Sequence, residues 1–188
     1  MLFDKLPFAD TTKFAHTSGF PRIGKPELAH FWMRLNQNKQ KLSDLSKEIY
    51  SESRRPEAND IFLTIPRAAY HFVSATRGSL PRNKVLSVSF YKENDMKLAQ
   101  ALLNSNVFFW YWRAFGDGFC LNVDLLATFP LPRHESDEYI GFADQLHSVL
   151  KECTTFKMFR GEKIPSYNFN RRMDILLRID NWIVRNVA

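Results

Sequence analysis

Glycine is scarce in this chain. It occurs 7 times in 188 residues, well below the share of about 7% that is usual in soluble proteins. The only Gly-x-Gly pattern is Gly116-Asp117-Gly118, and Leu121 stands where a dinucleotide-binding loop would have its third glycine. Loops that cradle phosphates need several glycines, because their backbone N–H groups must approach the phosphate closely. The scarcity therefore argues against a nucleotide-binding enzyme core.

Cysteine, metal-ligand motifs and long apolar runs are also lacking. The two cysteines, Cys120 and Cys153, do not have the spacing of a zinc site, and we interpret both as free thiols in a reducing compartment. The longest apolar run, residues 107–112, is far too short to cross a bilayer. The first five residues include an acid and no apolar h-region, so we expect no signal peptide and a cytoplasmic location.

The composition is that of a folded domain, with 45% hydrophobic and 24% charged residues. We expect one domain over residues 1–188. Residues 1–25 show no sustained periodicity, and we predict an arm that lays single aromatic side chains on the main body. Residues 26–53 are predicted to be helical, because Pro26-Glu27 suits a helix start and the following apolar residues recur at helical spacing.

Residues 61–132 are predicted to form a mixed α/β core. Runs typical of β-strands lie at 61–65, 69–73 and 85–90. The intervening residues 74–84 contain Gly78 and Pro81 and are predicted to form an exposed loop.

A helix is predicted over residues 92–114, with Asn94 or Asp95 as its N-cap. Its second half, residues 107–112, is apolar on every side and is therefore expected in the core, not as a platform for stacking bases. The same run would also suit a strand after a turn at 104–105, and periodicity does not decide between the two.

Residues 133–188 are predicted to form C-terminal helices, over 137–156 and 170–187, with a break at 161–165. The expected fold class is α+β: a small mixed β-sheet packed on a buried helix, with helical segments at both ends of the chain.

Acidic residues are absent from residues 61–92, whereas five basic residues lie there. Together with a net charge of +6, this stretch indicates a polyanionic partner such as DNA. Arg, Lys, Ser, Thr and Asn side chains bind phosphates and read base edges, although a solvated loop would carry the same residues. The candidate DNA-binding residues are Arg67, Ser74, Thr76, Arg77, Ser79, Arg82, Asn83, Lys84, Arg113, Arg171 and Arg172.

Several motifs in the second half of the chain resemble one known family. Ala101-Leu102-Leu103-Asn104-Ser105, running into Phe108-Phe109-Trp110-Tyr111, is similar to a segment of the C-terminal target-recognition domain of adenine-specific DNA methyltransferases, including the type IIG restriction-modification enzymes. The likeness continues at residues 116–118, 125–126, 129–132, 164–168 and 179–180, and so covers about residues 61–187. The first 60 residues carry no motif of that family.

The resemblance implies a module that recognises a double-stranded DNA sequence and is not itself an enzyme. A methyltransferase domain, in the same chain or a separate one, would bind S-adenosylmethionine and flip the adenine. That domain's Asn-Pro-Pro-(Tyr/Phe) motif is absent here, and Phe115-Gly116-Asp117-Gly118 is not the family's donor-binding Phe-x-Gly-x-Gly. The expected chain therefore holds no cofactor. The family's base-reading residues vary with the target, so none is carried over.

Two other functions remain open at this stage. A protein-interaction or scaffold module would use aromatic residues of the arm, namely Phe3, Phe8, Phe14 and Phe20. A metal-dependent nuclease would use Asp60 with Asp95-Met96-Lys97, because two carboxylates can hold a divalent metal and a lysine can help to activate water.

Overall fold

The computed structural model describes residue 12 and residues 21–68, 71–82, 84–159 and 161–187, apart from the side chain of Phe159. These residues form seven α-helices and two small antiparallel sheets, which confirms the α+β fold class. The helices are α1 (Pro26–Leu35), α2 (Leu42–Leu45), α3 (Glu93–Asn104), α4 (Asn106–Phe115), α5 (Val123–Ala127), α6 (Glu138–Ser148) and α7 (Met173–Arg185). The strands are β1 (Ser46–Tyr50), β2 (Ile61–Pro66), β3 (Thr76–Arg77), β4 (Val85–Phe90), β5 (Thr154–Phe159) and β6 (Glu162–Tyr167).

The larger sheet has the strand order β1-β4-β2-β3, and every neighbouring pair is antiparallel. All six residues of β4 are buried, as expected for an inner strand of apolar and small residues. Pro66 pairs with Val85, and Tyr50 pairs with Ser87. The end of β2, the start of β4 and the end of β1 therefore lie together at one end of this sheet.

The predicted helix over residues 92–114 is divided in two at Ser105. The Ser105 hydroxyl accepts a hydrogen bond from the Phe108 N–H at 3.0 Å and so begins α4 as a new helix. Asp180 of α7 adds a second cap, because its carboxylate accepts the backbone N–H of Asn106 at 3.0 Å and the side-chain N–H of Asn106 at 2.7 Å. The cap of α3 is Lys92, so the prediction of Asn94 or Asp95 is wrong.

The aromatic run of α4 lies in the core, as predicted, and it is helical. Phe108 and Trp112 are fully buried, and Tyr111 nearly so. The Tyr111 ring stacks on Trp32 of α1 with centroids 5.3 Å apart, and Phe108 meets Phe129 edge to face at 5.0 Å. These contacts join α4 to α1 and to Phe129, whereas Phe109 and Trp110 of the same run are half-buried against the core.

The boundary predictions fail in three places. Ser46–Tyr50 forms a strand on β4 within the predicted helix of residues 26–53. Residues 71–73 of the predicted strand 69–73 are not in a strand, while residues 69 and 70 lie outside the described part, and Thr76–Arg77 pairs with β2 instead. Helix α6 ends at Ser148, and residues 154–167 form a β-hairpin where a helix end and a break were expected.

The hairpin and α7 complete the C-terminal part. Gly161, with a φ of 84°, occupies the left-handed region that glycine adopts without a Cβ clash, and so allows the turn between β5 and β6. A 3₁₀ turn (Phe169–Arg172) then leads into α7. The buried stripe predicted for the last helix is confirmed, and its members are Ile175, Leu176, Ile179, Trp182 and Ile183.

Candidate nucleic-acid interface

Six basic residues gather at the end of the larger sheet where β2 ends and β4 begins. Backbone contacts hold them together: Arg67 N–H donates to the Lys84 carbonyl at 3.1 Å, and the Arg55 guanidinium donates to the Arg82 carbonyl at 3.1 Å. The Leu121 N–H donates to the Arg67 carbonyl at 2.8 Å and brings the turn after α4 to the same place. We call this surface the basic rim; its members are Arg22, Arg55, Arg67, Arg82, Lys84 and Arg113.

Two guanidinium groups of the basic rim converge on Gly118. The Nη1 atoms of Arg22 and Arg113 each lie 3.3 Å from the point that a Cβ on residue 118 would occupy. Arg113 is held there by a hydrogen bond from its Nη1 to the Gly118 carbonyl at 3.0 Å and by its position over the Trp112 ring. Gly118 has a φ of 81°, so its turn favours glycine for its backbone as well as for space.

Asp117 fixes this turn from within. Its carboxylate accepts the N–H groups of Phe119 at 2.7 Å and Cys120 at 2.8 Å. These backbone hydrogen bonds, led by that of Cys120, lower the pKa of Asp117, and the charges of Arg67 and Arg22 add to the effect. The carboxylate therefore stays ionised and shapes the loop.

Arg67 has an acidic partner, whereas Arg82 and Lys84 do not within the described part of the chain. Glu52 binds the Arg67 guanidinium and raises its pKa, yet the Arg67 Nε is buried with no partner among the described residues. Partial burial is the main influence on Arg82 and lowers its pKa, with an opposing effect of the Tyr167 phenol. Lys84 is exposed. With Glu52 and Asp117 as its close acids, the rim keeps an excess of positive charge.

The expectation of an exposed loop is wrong for residues 74–77. Ser74 is 4% exposed and Thr76 is 1% exposed, so neither side chain can reach a DNA duplex without local unfolding. The cause is Asn104 at the end of α3, whose amide accepts from the Ala75 N–H at 3.0 Å and donates to the Ala75 carbonyl at 2.9 Å. This clamp presses the segment against the helix.

Arg77 is also held by the protein. Its Nε donates to Gln100 at 2.8 Å, and its Nη2 binds Asp144 of α6 at 2.8 Å. Asp144 also binds Lys97, and these hydrogen bonds, that of Arg77 first, lower the pKa of the carboxyl. Arg77 thus joins β3 to two helices, and its contacts are structural.

The remaining predicted residues fall outside the basic rim. Ser79 is exposed, but it lies away from the rim. The N–H of the preceding residue, Gly78, donates to the Phe62 carbonyl near the start of β2, whereas the rim lies where β2 ends. Asn83 lies outside the described residues. Arg171 and Arg172 lie at the base of the β5–β6 hairpin, where both donate to Glu152 and Arg172 also binds Asp174.

Arg22 and Arg55 belong to the rim although no sequence pattern selected them. Arg55 lies in the loop after β1, and its place beside Arg82 depends on the pairing of β1 with β4. The Arg-Arg-Pro sequence at residues 54–56 was the available signal, but it became informative only once that strand pairing was known.

The proposed nuclease residues are engaged in other contacts. Asp60 binds Lys47 at 2.7 Å with one oxygen and the Glu57 N–H at 3.0 Å with the other. Lys97 bridges Glu93 and Asp144. Among the described residues, no group of three or more His, Cys, Asp or Glu is arranged to hold a metal. The four arm phenylalanines of the scaffold hypothesis lie outside the described residues.

Comparison of the chain with known proteins gives no match. No family model matches the chain, and neither a curated protein nor a solved structure matches it. In the described part of the chain, no helix has the length and apolar character needed to cross a membrane.

Proposed function

We propose that this chain is a DNA target-recognition module that binds double-stranded DNA through the basic rim and has no catalytic activity of its own. The observation that carries the proposal is the gathering of six basic residues, with few acids, at one end of the sheet, where the Arg22 and Arg113 guanidinium groups face one point. Positive surfaces of this kind supply the phosphate contacts that dominate DNA affinity.

The Arg22–Arg113 pair suits a phosphate group. Two guanidinium groups facing one point repel each other, and an anion between them relieves that repulsion while accepting charge-assisted hydrogen bonds. Gly118 leaves the approach open because it has no side chain. One backbone phosphate would therefore bind there, which would fix the orientation of the duplex.

Arg82 and Lys84 are the described residues best placed to continue the contact. They lie two residues apart just before β4 begins at Val85, and the Arg55 guanidinium donates a hydrogen bond to the Arg82 carbonyl. Arginine can bind the O6 and N7 atoms of guanine with two hydrogen bonds, so Arg82 is our candidate for base reading. Asn83 stays a candidate by its chemistry alone.

The resemblance to target-recognition domains supplies the biological setting of the proposal. Two of its separated motifs meet in space, because Asp180 caps the helix that follows Asn104-Ser105. We infer a partner methyltransferase domain, in the same or a separate chain, that would bind S-adenosylmethionine and act on adenine. The location proposed is the cytoplasm.

Fluorescence anisotropy with labelled duplex DNA tests the proposal. The affinity should fall steeply between about 50 mM and about 200 mM salt. An Arg22→Ala/Arg113→Ala variant should bind more weakly, and the slope of log K against log salt should become shallower by about 0.9, because the pair holds one phosphate and each lost phosphate contact removes roughly that amount.

A matched control removes the same charge away from the rim. Arg34 and Arg133 are exposed, and an Arg34→Ala/Arg133→Ala variant should keep the wild-type salt slope. Absence of DNA binding at low salt would refute the proposal. Equal losses in the two double variants would show that net charge alone, and not the rim, attracts the DNA.

A further inference from the structure

The β5–β6 hairpin carries a second surface that the basic rim does not include. Its strands pair with each other and with no other strand of the described chain. Phe156 and Met158 are 66% and 65% exposed and lie on one face, since side chains two apart in a strand point the same way. A large apolar side chain that stays exposed forgoes the free energy that its burial would contribute. Two neighbouring exposures on a thin ribbon indicate a surface with a binding role.

The charges beside these two residues favour a polyanion as the ligand. Lys163 is the cross-strand partner of Met158 and shares its face, while the exposed Lys157 lies between the two apolar residues on the other face. Glu162 is the one acid in the two strands. Cores of protein–protein interfaces are depleted in lysine, whereas a ribbon with apolar side chains and a lysine on one face and a further lysine on the other suits a DNA groove.

The hairpin is close to the basic rim. Its last residue, Tyr167, is near enough to Arg82 for its phenol to act on the guanidinium. The base of the hairpin therefore lies near Arg82 of the rim. A two-stranded ribbon has the width that the major groove accepts, about 12 Å.

We propose that the β5–β6 hairpin enters the major groove and places Phe156 and Met158 against the 5-methyl groups of thymines, with Lys157 and Lys163 on phosphates or on guanine. This inference rests on the proposed function and assigns part of its sequence preference. Apolar contact with the thymine methyl is a specific readout available to such side chains in that groove.

Replacing thymine with deoxyuridine in the DNA probe tests the contact directly. The two probes would be A·T-rich duplexes of identical sequence that differ only in the 5-methyl groups. Wild-type protein should bind the deoxyuridine duplex about fourfold more weakly, the value expected for one lost methyl contact of about 0.8 kcal/mol. A Phe156→Ala/Met158→Ala variant should bind both duplexes equally.

A control variant removes comparable exposed apolar groups elsewhere. Leu177 and Val184 on α7 are 53% and 48% exposed, and a Leu177→Ala/Val184→Ala variant should keep the wild-type preference for thymine. Circular dichroism would verify that both variants are folded, which is expected because the altered side chains contribute little to the core.

The outcomes separate this inference from the proposed function. If wild-type protein binds both duplexes equally well, the hairpin inference fails while DNA binding by the rim stands. If no duplex binds, both fail. If sedimentation shows a wild-type dimer that the Phe156→Ala/Met158→Ala variant turns into a monomer, the hairpin face binds a second copy of the chain and the inference is overturned.

Discussion

Replacing Asn104 with alanine should lower the free energy of unfolding by about 3 kcal/mol. The Asn104 side chain makes three buried hydrogen bonds: two with the backbone of Ala75 and one with the Gln100 carbonyl at 2.7 Å. Ala75 is fully buried and Asn104 is 5% exposed, so water does not reach these groups in the native protein. The Asn104 side chain therefore provides the hydrogen-bond partners of the Ala75 N–H and carbonyl, which are buried away from water.

The magnitude follows from the groups left unpaired. In the variant, the N–H and the carbonyl of Ala75 lose their partner, and each buried unsatisfied group costs about 1–3 kcal/mol. A water entering the vacated space would recover part of this cost. The loss is large beside the 5–15 kcal/mol that is usual for a domain.

Urea unfolding followed by tryptophan fluorescence measures the effect. Trp112 and Trp182 are fully buried, so the signal reports the core. The control is Asn94→Ala, which makes the same change at an exposed position of the same helix and should stay within about 0.5 kcal/mol of the wild type. If Asn104→Ala matches this control, the clamp on residues 74–77 does not contribute as the hydrogen bonds suggest.

Further predictions concern Asp180, which caps α4, and the two glycines Gly118 and Gly141. Burial raises the pKa of Asp180, against the hydrogen bonds of Asn106 and Val107, so the folded state holds its proton more tightly than the unfolded state. The stabilisation from this proton is present below about pH 4 and is lost as the pH rises through the folded pKa. Urea titrations should therefore show the stability advantage of wild type over Asp180→Asn to be larger near pH 4 than near pH 7; an advantage that grows with pH would contradict the direction of the shift. Gly118→Ala adds a methyl at a φ of 81° and against two guanidinium groups, and should lower stability by about 1 kcal/mol and weaken DNA binding. Gly141→Ala adds the same methyl to an exposed site of α6 with open space and should raise stability by about 1 kcal/mol. Thermal unfolding of the two alanine variants measures both shifts, and a change of the same sign in both would refute the argument.

The elements that the sequence predicted well are those with a local signal. Strand β4 has the predicted bounds, and β2 extends one residue beyond its prediction. Helix α1 begins at Pro26, because proline fixes a helical φ and needs no N–H donor there. The burial of α4 follows from its run of six apolar residues, because a helix at the surface would leave some of them exposed to water on every orientation.

The misplaced elements depend on distant partners. Ile49 follows Leu45 by four residues, a spacing that fits a helix, yet Ile49 pairs with Val88 far along the chain. The hairpin did carry a local signal, because Thr154, Thr155 and Phe156 favour strands and Gly161 suits a turn. The prediction is wrong here because the helical pattern of residues 137–156 includes these three residues, although their own preference is for a strand.

The candidate site was half predictable for the same reason. Residues Arg67, Arg82, Lys84 and Arg113 were selected by charge and lie on the basic rim. Ser74, Thr76 and Arg77 share that charge environment in sequence, but Asn104 of α3 holds the Ala75 backbone between the first two, and α3 and α6 bind Arg77, from positions that sequence spacing did not indicate. Charge locates a surface, whereas tertiary contacts decide which of its residues are available.

The outer strands of the larger sheet have a consequence for solubility. β1 is interrupted by a bulge between Ser46 and Glu48 and carries Lys47 between them, and β3 is two residues long. Neither strand offers a long, flat row of unpaired backbone groups to which another chain could add a strand. The sheet is thereby protected against edge-to-edge aggregation.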